Sequence, residues 1–319
     1  EGDLVEEILQ MDKLAKLLRK DRFKEGSIAF DRVEVKFNLD EDGAPLGVYF
    51  KKSMDANKLI EEFMLLANKR VAEFIGKKPK GEQAKTFVYR IHDEPNPEKL
   101  QSLSNFVKKF GYDLKTDEKD VAKSINSLLE KVKGTNEEDM IEQLTIRTMA
   151  KAVYSSNNVG HYGLSFEHYS HFTSPIRRYP DVMVHRLLQH YLDGGNSANQ
   201  QEVEDQCKHS SKMEIASTEA ERASIKYKQV QFLEDKIGEE FEGVISGVSE
   251  WGLYVQIVEN MCEGMVRLSD IEGDYYSYDA ANYCAKGNKT GQEYRMGDQV
   301  KIKIRRADLV KKQLDFELV

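Results

Sequence analysis

The stretch HFTSPIRRYPD, residues 171–181, decides how the middle of this chain is read. It opens as a loop and passes into a helix. Thr173 or Ser174 is a suitable cap, and Pro175 suits the first helical position. Ile176, Tyr179, Met183, Leu187 and Tyr191 then recur at helical spacing, which predicts a helix over 175–193. Arg177 and Arg178 would fall in its first turn, where backbone N–H groups already concentrate positive charge. Cations belong there only if an anion completes the site. A phosphate would do so, held by backbone donors and a guanidinium fork. An internal Arg–carboxylate pair is the competing explanation. Pro180 is tolerable only close to a helix start.

Outward from this stretch the chain divides into two compositions. Helices are predicted over 4–20, 57–75, much of 98–152 with breaks at Gly111 and Gly134, and 199–236. Alternating strands are predicted at 27–37 and 46–51 around an Asp42-Gly43 turn, and Asn57 is a plausible helix cap. From Ile237-Gly238 onward glycines recur and short strands replace helices: Glu242–Val248, Gly252–Ile257, Gly264–Leu268, Gln299–Arg305 and Gln313–Leu318. Five such runs suit a small closed barrel of the OB type. The expected fold is therefore α+β, with a helical and sheet-bearing part over 1–237 and a barrel over 238–319.

The 319-residue length accommodates two domains, and a 40% hydrophobic content is ordinary for a globular protein. No window reaches the roughly 18 apolar residues of a membrane span, and no signal peptide is evident. The three cysteines, Cys207, Cys262 and Cys284, are dispersed and include no CxxC. They point to a reducing compartment, with the cytoplasm as default, and away from a disulfide framework. A formal charge of −8 argues against a general polyanion binder. It leaves room for a local basic lining. Lys301, Lys303 and Arg305 alternate with Ile302 and Ile304 and would share one strand face. A lysine-protected solvated edge explains them equally well.

The run HYGLSFEHYSHFTSPIRRYPDVMVHR at 161–186 resembles the signature of the ribonuclease II (RNB) family of processive 3′-to-5′ exoribonucleases. GSIAFDRVEVKF at 26–37, NKLIEEFMLLANKRVAEFI at 57–75 and RIHDEPNPEKL at 90–100 agree in the same order. FEGVISGVSEWGLYVQI at 241–257, with DYYSYD, YRMGDQVKIKI and LDFEL after it, is similar to the S1-type RNA-binding domain that ends such enzymes. The resemblance implies magnesium-dependent hydrolysis of single-stranded RNA to nucleoside 5′-monophosphates by a metal-bound water. It also implies an aspartate-rich metal cluster. No D-x-D-D-like run occurs in residues 1–319, and the chain begins without Met in the middle of the expected catalytic domain. The expectation is a C-terminal portion of an exoribonuclease that holds no metal itself and is inactive alone.

Within that resemblance, Arg177 is the candidate catalytic guanidinium that meets charge on the phosphoryl oxygens, with Arg178 as backup or structural pair. On the 57–75 helix, Glu61 and Asn68 share an otherwise apolar face with Met64 and Leu65. A carboxylate buried there would need a partner or a function. The resemblance implies that this Glu-Glu helix reaches the scissile end of the RNA, which makes Glu61 the second catalytic candidate and Glu62 its runner-up, with an internal ion pair as the alternative. Phe30 would stack on a base, and Asn68, His171 and Arg178 would contact RNA. In the barrel, Trp251, Tyr254 and Arg267 would stack on bases and grip phosphate, joined by Lys301, Lys303 and Arg305; the aromatic insertion Asp274–Tyr278 would add to the lining.

His161, His168, His171, His185 and His190 invite a metal site, with Asp181 and His185 one turn apart. No HExxH occurs, and a structural or RNA-contacting role for His168 and His171 is the better explanation. The partner is then single-stranded RNA, with no membrane and no obligate protein partner, and the chain is expected to be monomeric. A non-catalytic RNA-binding module is the alternative; it would have no need of residues 161–186.

Overall fold

A computed structural model describes residues 2–28, 34–79, 81–116, 121–135, 137–280 and 282–319. The first part of the chain is α1 (Val5–Lys24), β1 (Glu34–Leu39), β2 (Pro45–Lys51), α2 (Asp55–Gly76), β3 (Tyr89–Ile91), α3 (Pro97–Val107), α4 (Val121–Val132), α5 (Glu138–Thr148) and β4 (Val153–Ser155). Two helices follow, α6 (Tyr179–Leu192) and the long α7 (Gln200–Leu233). The last part is β5 (Glu240–Val248), β6 (Gly252–Ile257), β7 (Glu263–Arg267), β8 (Tyr276–Asp279), β9 (Cys284–Gly287), β10 (Glu293–Arg295), β11 (Gln299–Asp308) and β12 (Gln313–Leu318).

Strands β5, β6, β7, β12 and β11 close into a barrel; only β12 and β7 run parallel. The expected alternation holds on β11: Ile302 and Ile304 are buried, and Lys301 and Arg305 are exposed. The barrel core of Ile245, Leu253, Val255, Ile257, Val266, Leu314 and Phe316 also takes in Val230 and Leu233 from α7. At its other end α7 supplies Val203 and Cys207 to a second core, with Ala72 and Ile75 of α2, Phe87, Tyr89 and Val184. One helix therefore enters both cores. A third core lies among α3, α4 and α5 and includes Met296 from the barrel side.

Several local expectations shift. Helix α2 begins at Asp55, and Asn57 accepts from the Met54 N–H rather than serving as the cap itself. The apolar residues Ile8, Met11, Leu14 and Leu17 of α1 are exposed, as is Leu4 just before it; Ala15 and Arg22 are its buried residues. The insertion at 274–278 is partly built into regular structure, while Tyr275 remains exposed. The insertion starts a small three-stranded sheet, β8–β9–β10, pinned by Asp274, which accepts from the N–H groups of Tyr275, Lys289 and Thr290. This sheet leans on the α3 region: Tyr283 meets Phe106 edge-on at 5.1 Å.

The helix over 175–193 starts at Tyr179 instead, and Ser174–Arg178 forms a turn ahead of it. The reason lies in Pro180. In a helix begun at Pro175, position 180 would have to donate to the Ile176 carbonyl, and proline has no N–H to give. Starting at Tyr179 puts Pro180 in the first turn, where no donor is needed. Arg177 and Arg178 therefore precede the helix rather than sit in its first turn. Asp181 does sit there.

Candidate RNA-gripping site

Asn68 of α2 is buried, and its side-chain oxygen accepts from the backbone N–H of Phe172 at 2.9 Å and of Thr173 at 3.2 Å. Its amide donates to the Tyr169 hydroxyl at 3.1 Å. Asn68 thus clamps the loop that leads to the arginines, and this use of its polar atoms makes it a holder of that loop rather than an exposed contact. The loop is further fixed by Phe172, whose ring stacks on His185 at 4.1 Å while its carbonyl meets His185 Nε2 at 2.8 Å.

His171 is half-buried, with Nδ1 2.8 Å from the Tyr154 hydroxyl. Burial, helped by the nearby Arg178 and Arg90, pushes its pKa down to about 2. Burial likewise pushes Tyr154 up to about 12. His161, under burial and beside His92, falls to about 3. These imidazoles are therefore neutral at physiological pH, fit to exchange hydrogen bonds but not to attract an anion by charge.

The two arginines are used differently. Arg178 is largely buried and donates to Asp181 Oδ1 at 2.8 Å. Arg177 is exposed, and its guanidinium has only a long 3.4 Å approach to Ser174 Oγ. The internal pairing thus takes Arg178 and leaves Arg177 available. Fully exposed Ile176 and exposed Tyr179 flank it.

The carboxylates of α2 reverse the expected burial. Glu62 is only 4% exposed and pairs with the equally buried Arg22 of α1, whereas the Glu61 side chain is 55% exposed. The face that bears Glu62 packs on α1, so the internal ion pair belongs to Glu62. Glu61, Asn68, Met64, Tyr169 and Arg178 line one cleft of about 530 Å³. Arg177 does not border it. With Arg178 it lines a second cleft of about 930 Å³ against α7, which includes Tyr154, His209, Met213 and Glu214. Arg178 borders both clefts, and no described cleft has both Arg177 and Glu61 in its lining. Phe30 lies outside the described residues.

Residues that the sequence reading does not single out brace this region. Arg90 lies over the Tyr154 ring at 4.6 Å and pairs with Glu214 at 2.6 Å. Tyr169 packs against both His161 and His171. The i,i+3 spacing of Asp181 from Arg178 is the sequence signal for the bridge that forms. Among the described residues, no group of three or more His, Cys, Asp or Glu side chains could hold a metal ion.

On the barrel, Trp251 is 69% exposed in the β5–β6 turn, and Tyr254 is exposed on the outer face of β6. Arg267 sits opposite Gly252 and approaches Asp315 at 3.7 Å. The cationic row does face outward, yet each member has an acid beside it: Lys301 with Glu240 at 2.7 Å, Lys303 with Glu317 at 3.5 Å, and Arg305 with Asp270 at 2.6 Å.

A model of the RNB domain matches residues 1–194, and a model of the S1 RNA binding domain matches residues 234–318. The chain belongs to the RNB family. Its relatives in that family include ribonuclease R of Aquifex aeolicus, 37% identical over 99% of this chain and 45% of the relative. Ribonuclease R of Escherichia coli is 32% identical over 99% of this chain and 40% of the relative. The RNB chain thus spans less than half the length of these curated relatives. Among solved structures, Mycoplasma genitalium RNase R in its apo form superposes with a TM-score of 0.89 at 28% identity, over 100% of this chain and 51% of that one. The same enzyme in complex with ribose methylated single-stranded RNA gives 0.90 at 28% identity, with the same coverage of both chains. The RNB match, the S1 match and the closed barrel agree with the expected architecture.

Proposed function

We propose that this chain is the RNA-gripping part of a processive, magnesium-dependent 3′-to-5′ exoribonuclease that converts single-stranded RNA to nucleoside 5′-monophosphates. The carrying observation is Arg177: a guanidinium left available at the end of a loop clamped by Asn68, next to an arginine already paired with Asp181. A planar fork carried on a fixed loop can meet two phosphoryl oxygens at once. The exposed Trp251 and Tyr254 on the barrel supply π faces that accept any base, which suits a sequence-indifferent enzyme.

In this reading residues 1–237 belong to the catalytic domain and 238–319 form the RNA-binding barrel. The last helical turn, Glu234–Lys236, and the first barrel strand at Glu240 support that division. Arg178 borders both the cleft that Glu61 lines and the cleft that Arg177 lines, and the RNA end would lie where the two meet. The chain works as a monomer in the cytoplasm, in keeping with three buried free thiols. The described residues do not fit magnesium, because they offer no ligand set, so their contribution is to bind and orient phosphate. The test is incubation of the 319-residue chain with labelled single-stranded RNA and magnesium. RNA should bind without steady release of nucleoside monophosphates; sustained release would show that the chain carries a metal-binding catalytic centre that this reading denies it.

A further inference from the structure

We infer that Asp181 is a positioning residue that holds Arg177 toward RNA by tying down both ends of the Ser174–Arg178 turn. This rests on the reading of Arg177 as a phosphate-gripping group. One carboxylate oxygen, Oδ1, accepts from the Ser174 N–H at 2.7 Å and from Arg178 Nη2 at 2.8 Å. Ser174 opens the turn and Arg178 closes it, so Pro175, Ile176 and Arg177 form a short bridge between two points fixed to the same atom. The turn's own backbone bonds, from the Arg177 and Arg178 N–H groups to the Ser174 carbonyl, hold its pitch. Ile176 and Arg177, in the span between the ties, are exposed.

An ordinary structural role explains Asp181 poorly. An aspartate in the first turn of a helix normally stays near water, where the dipole favours it at no desolvation cost. Asp181 is instead 0% exposed, and its second oxygen has no hydrogen-bond partner among the described residues. Arg178 Nε and Thr173 Oγ1, in the same stretch, are also buried without partners. Buried polar atoms left unmatched cost stability, and a neutral or apolar residue would avoid that cost. Such local costs are expected where geometry serves a site rather than stability.

The test compares variants of the 319-residue chain for binding to a labelled single-stranded oligouridylate across a salt series, with circular dichroism melts as the check of folding. Asp181→Asn removes one negative charge from an acidic protein, so bulk electrostatics alone would tighten RNA binding. The positioning role requires the opposite sign: affinity lower by roughly tenfold, about the worth of one charge-assisted hydrogen bond, and a shallower salt slope by about 0.7 for one lost phosphate contact. Glu130→Gln, an identical charge change on an exposed face of α4, should bind as well as the parent or slightly better. Asp181→Glu keeps the charge but displaces the carboxylate; it should also lose affinity, and it decides the matter where Asp181→Asn does not fold. A folded Asp181 variant with parental or tighter binding overturns the inference, as does failure of both variants to fold, which would make Asp181 a folding residue. Arg177→Gln separates the two levels. If it leaves affinity unchanged, the reading of the turn as an RNA contact falls with the inference; if it weakens binding while the Asp181 variants do not, only the positioning role falls.

Discussion

Arg177 and Arg178 are adjacent in sequence and divided by environment. The one that reaches Asp181 is paired with its carboxylate, and the one that does not is exposed. Lysine at position 177 would keep the charge and lose the planar fork. In any form of the protein that hydrolyses RNA, Arg177→Lys should therefore lower kcat by about 10²–10³-fold, as for loss of one charge-stabilising donor, with a much smaller change in RNA affinity. Single-turnover kinetics beside equilibrium binding would show whether the loss is confined to turnover, and an unchanged kcat would return Arg177 to a structural role.

The buried imidazoles carry a second residue-scale expectation. His171 and His161 have folded pKa values of about 2 and about 3, below the ordinary 6.5. Below pH 6.5 the unfolded chain takes up protons on both, whereas the folded chain resists until far lower pH. Their contribution to stability is thus intact above 6.5 and is lost progressively as pH falls toward 3 and 2. The melting temperature should drop between pH 7 and pH 5, and His161→Gln should flatten that dependence. Parallel pH profiles for variant and parent would rule the imidazole out as the cause.

At the scale of elements, legibility followed the strength of the repeating pattern. The barrel strands were readable nearly to the residue because period-two alternation with buried Ile302 and Ile304 leaves little freedom of register. The start of α6 was misread because capping residues at 173–175 were present, while the decisive constraint, proline at 180, acts from further along. The burial of Glu61 and Glu62 was misassigned because helical periodicity shows which residues share a face, not which neighbour covers it; α1 and its Arg22 made that choice. The β8–β10 sheet escaped notice because its strands are very short and largely polar.

Two element-scale predictions follow from the contacts that position the loops. Asn68→Ala deletes three hydrogen bonds that hold Tyr169, Phe172 and Thr173. It should cost about 1–3 kcal/mol of stability, as expected when buried partners are stranded, measurable by urea denaturation. At Gly252, an added Cβ would lie 2.4 Å from the Val266 carbonyl oxygen. Gly252→Ala should therefore pry β6 from β7 and weaken the barrel. A denaturation midpoint equal to that of the parent would show that the strand pair accommodates the methyl group.

For the molecule as a whole, the two compositions read from sequence are more entangled than a boundary near residue 238 suggests. Val230 and Leu233 of α7 are completed by the barrel core, and Met296 of the barrel side enters the α3–α5 core. A polypeptide of residues 238–319 should fold less stably than one of 226–319. The difference should be several kcal/mol, since burying one such aliphatic side chain contributes about 1.5–3 kcal/mol. Equal urea midpoints for the two polypeptides would mean that the barrel is self-sufficient. The helical partner was not legible in advance because α7 is highly charged along most of its length and shows its buried residues only near its ends.

That same helix has a consequence for avidity. A rod anchored in two cores fixes the distance between the arginine turn, beside its middle, and the aromatic face beyond its carboxyl end. Once one end of an RNA is held, the other site is met at an effective concentration set by strand length rather than by bulk concentration. Oligonucleotides too short to bridge should bind with the affinity of one site alone, and those just long enough should gain sharply instead of gradually. Inserting glycines near Glu221, on an exposed stretch of α7, would loosen the rod and blunt the step. A smooth rise of affinity with length in the parent chain would mean that the two surfaces never hold one strand together.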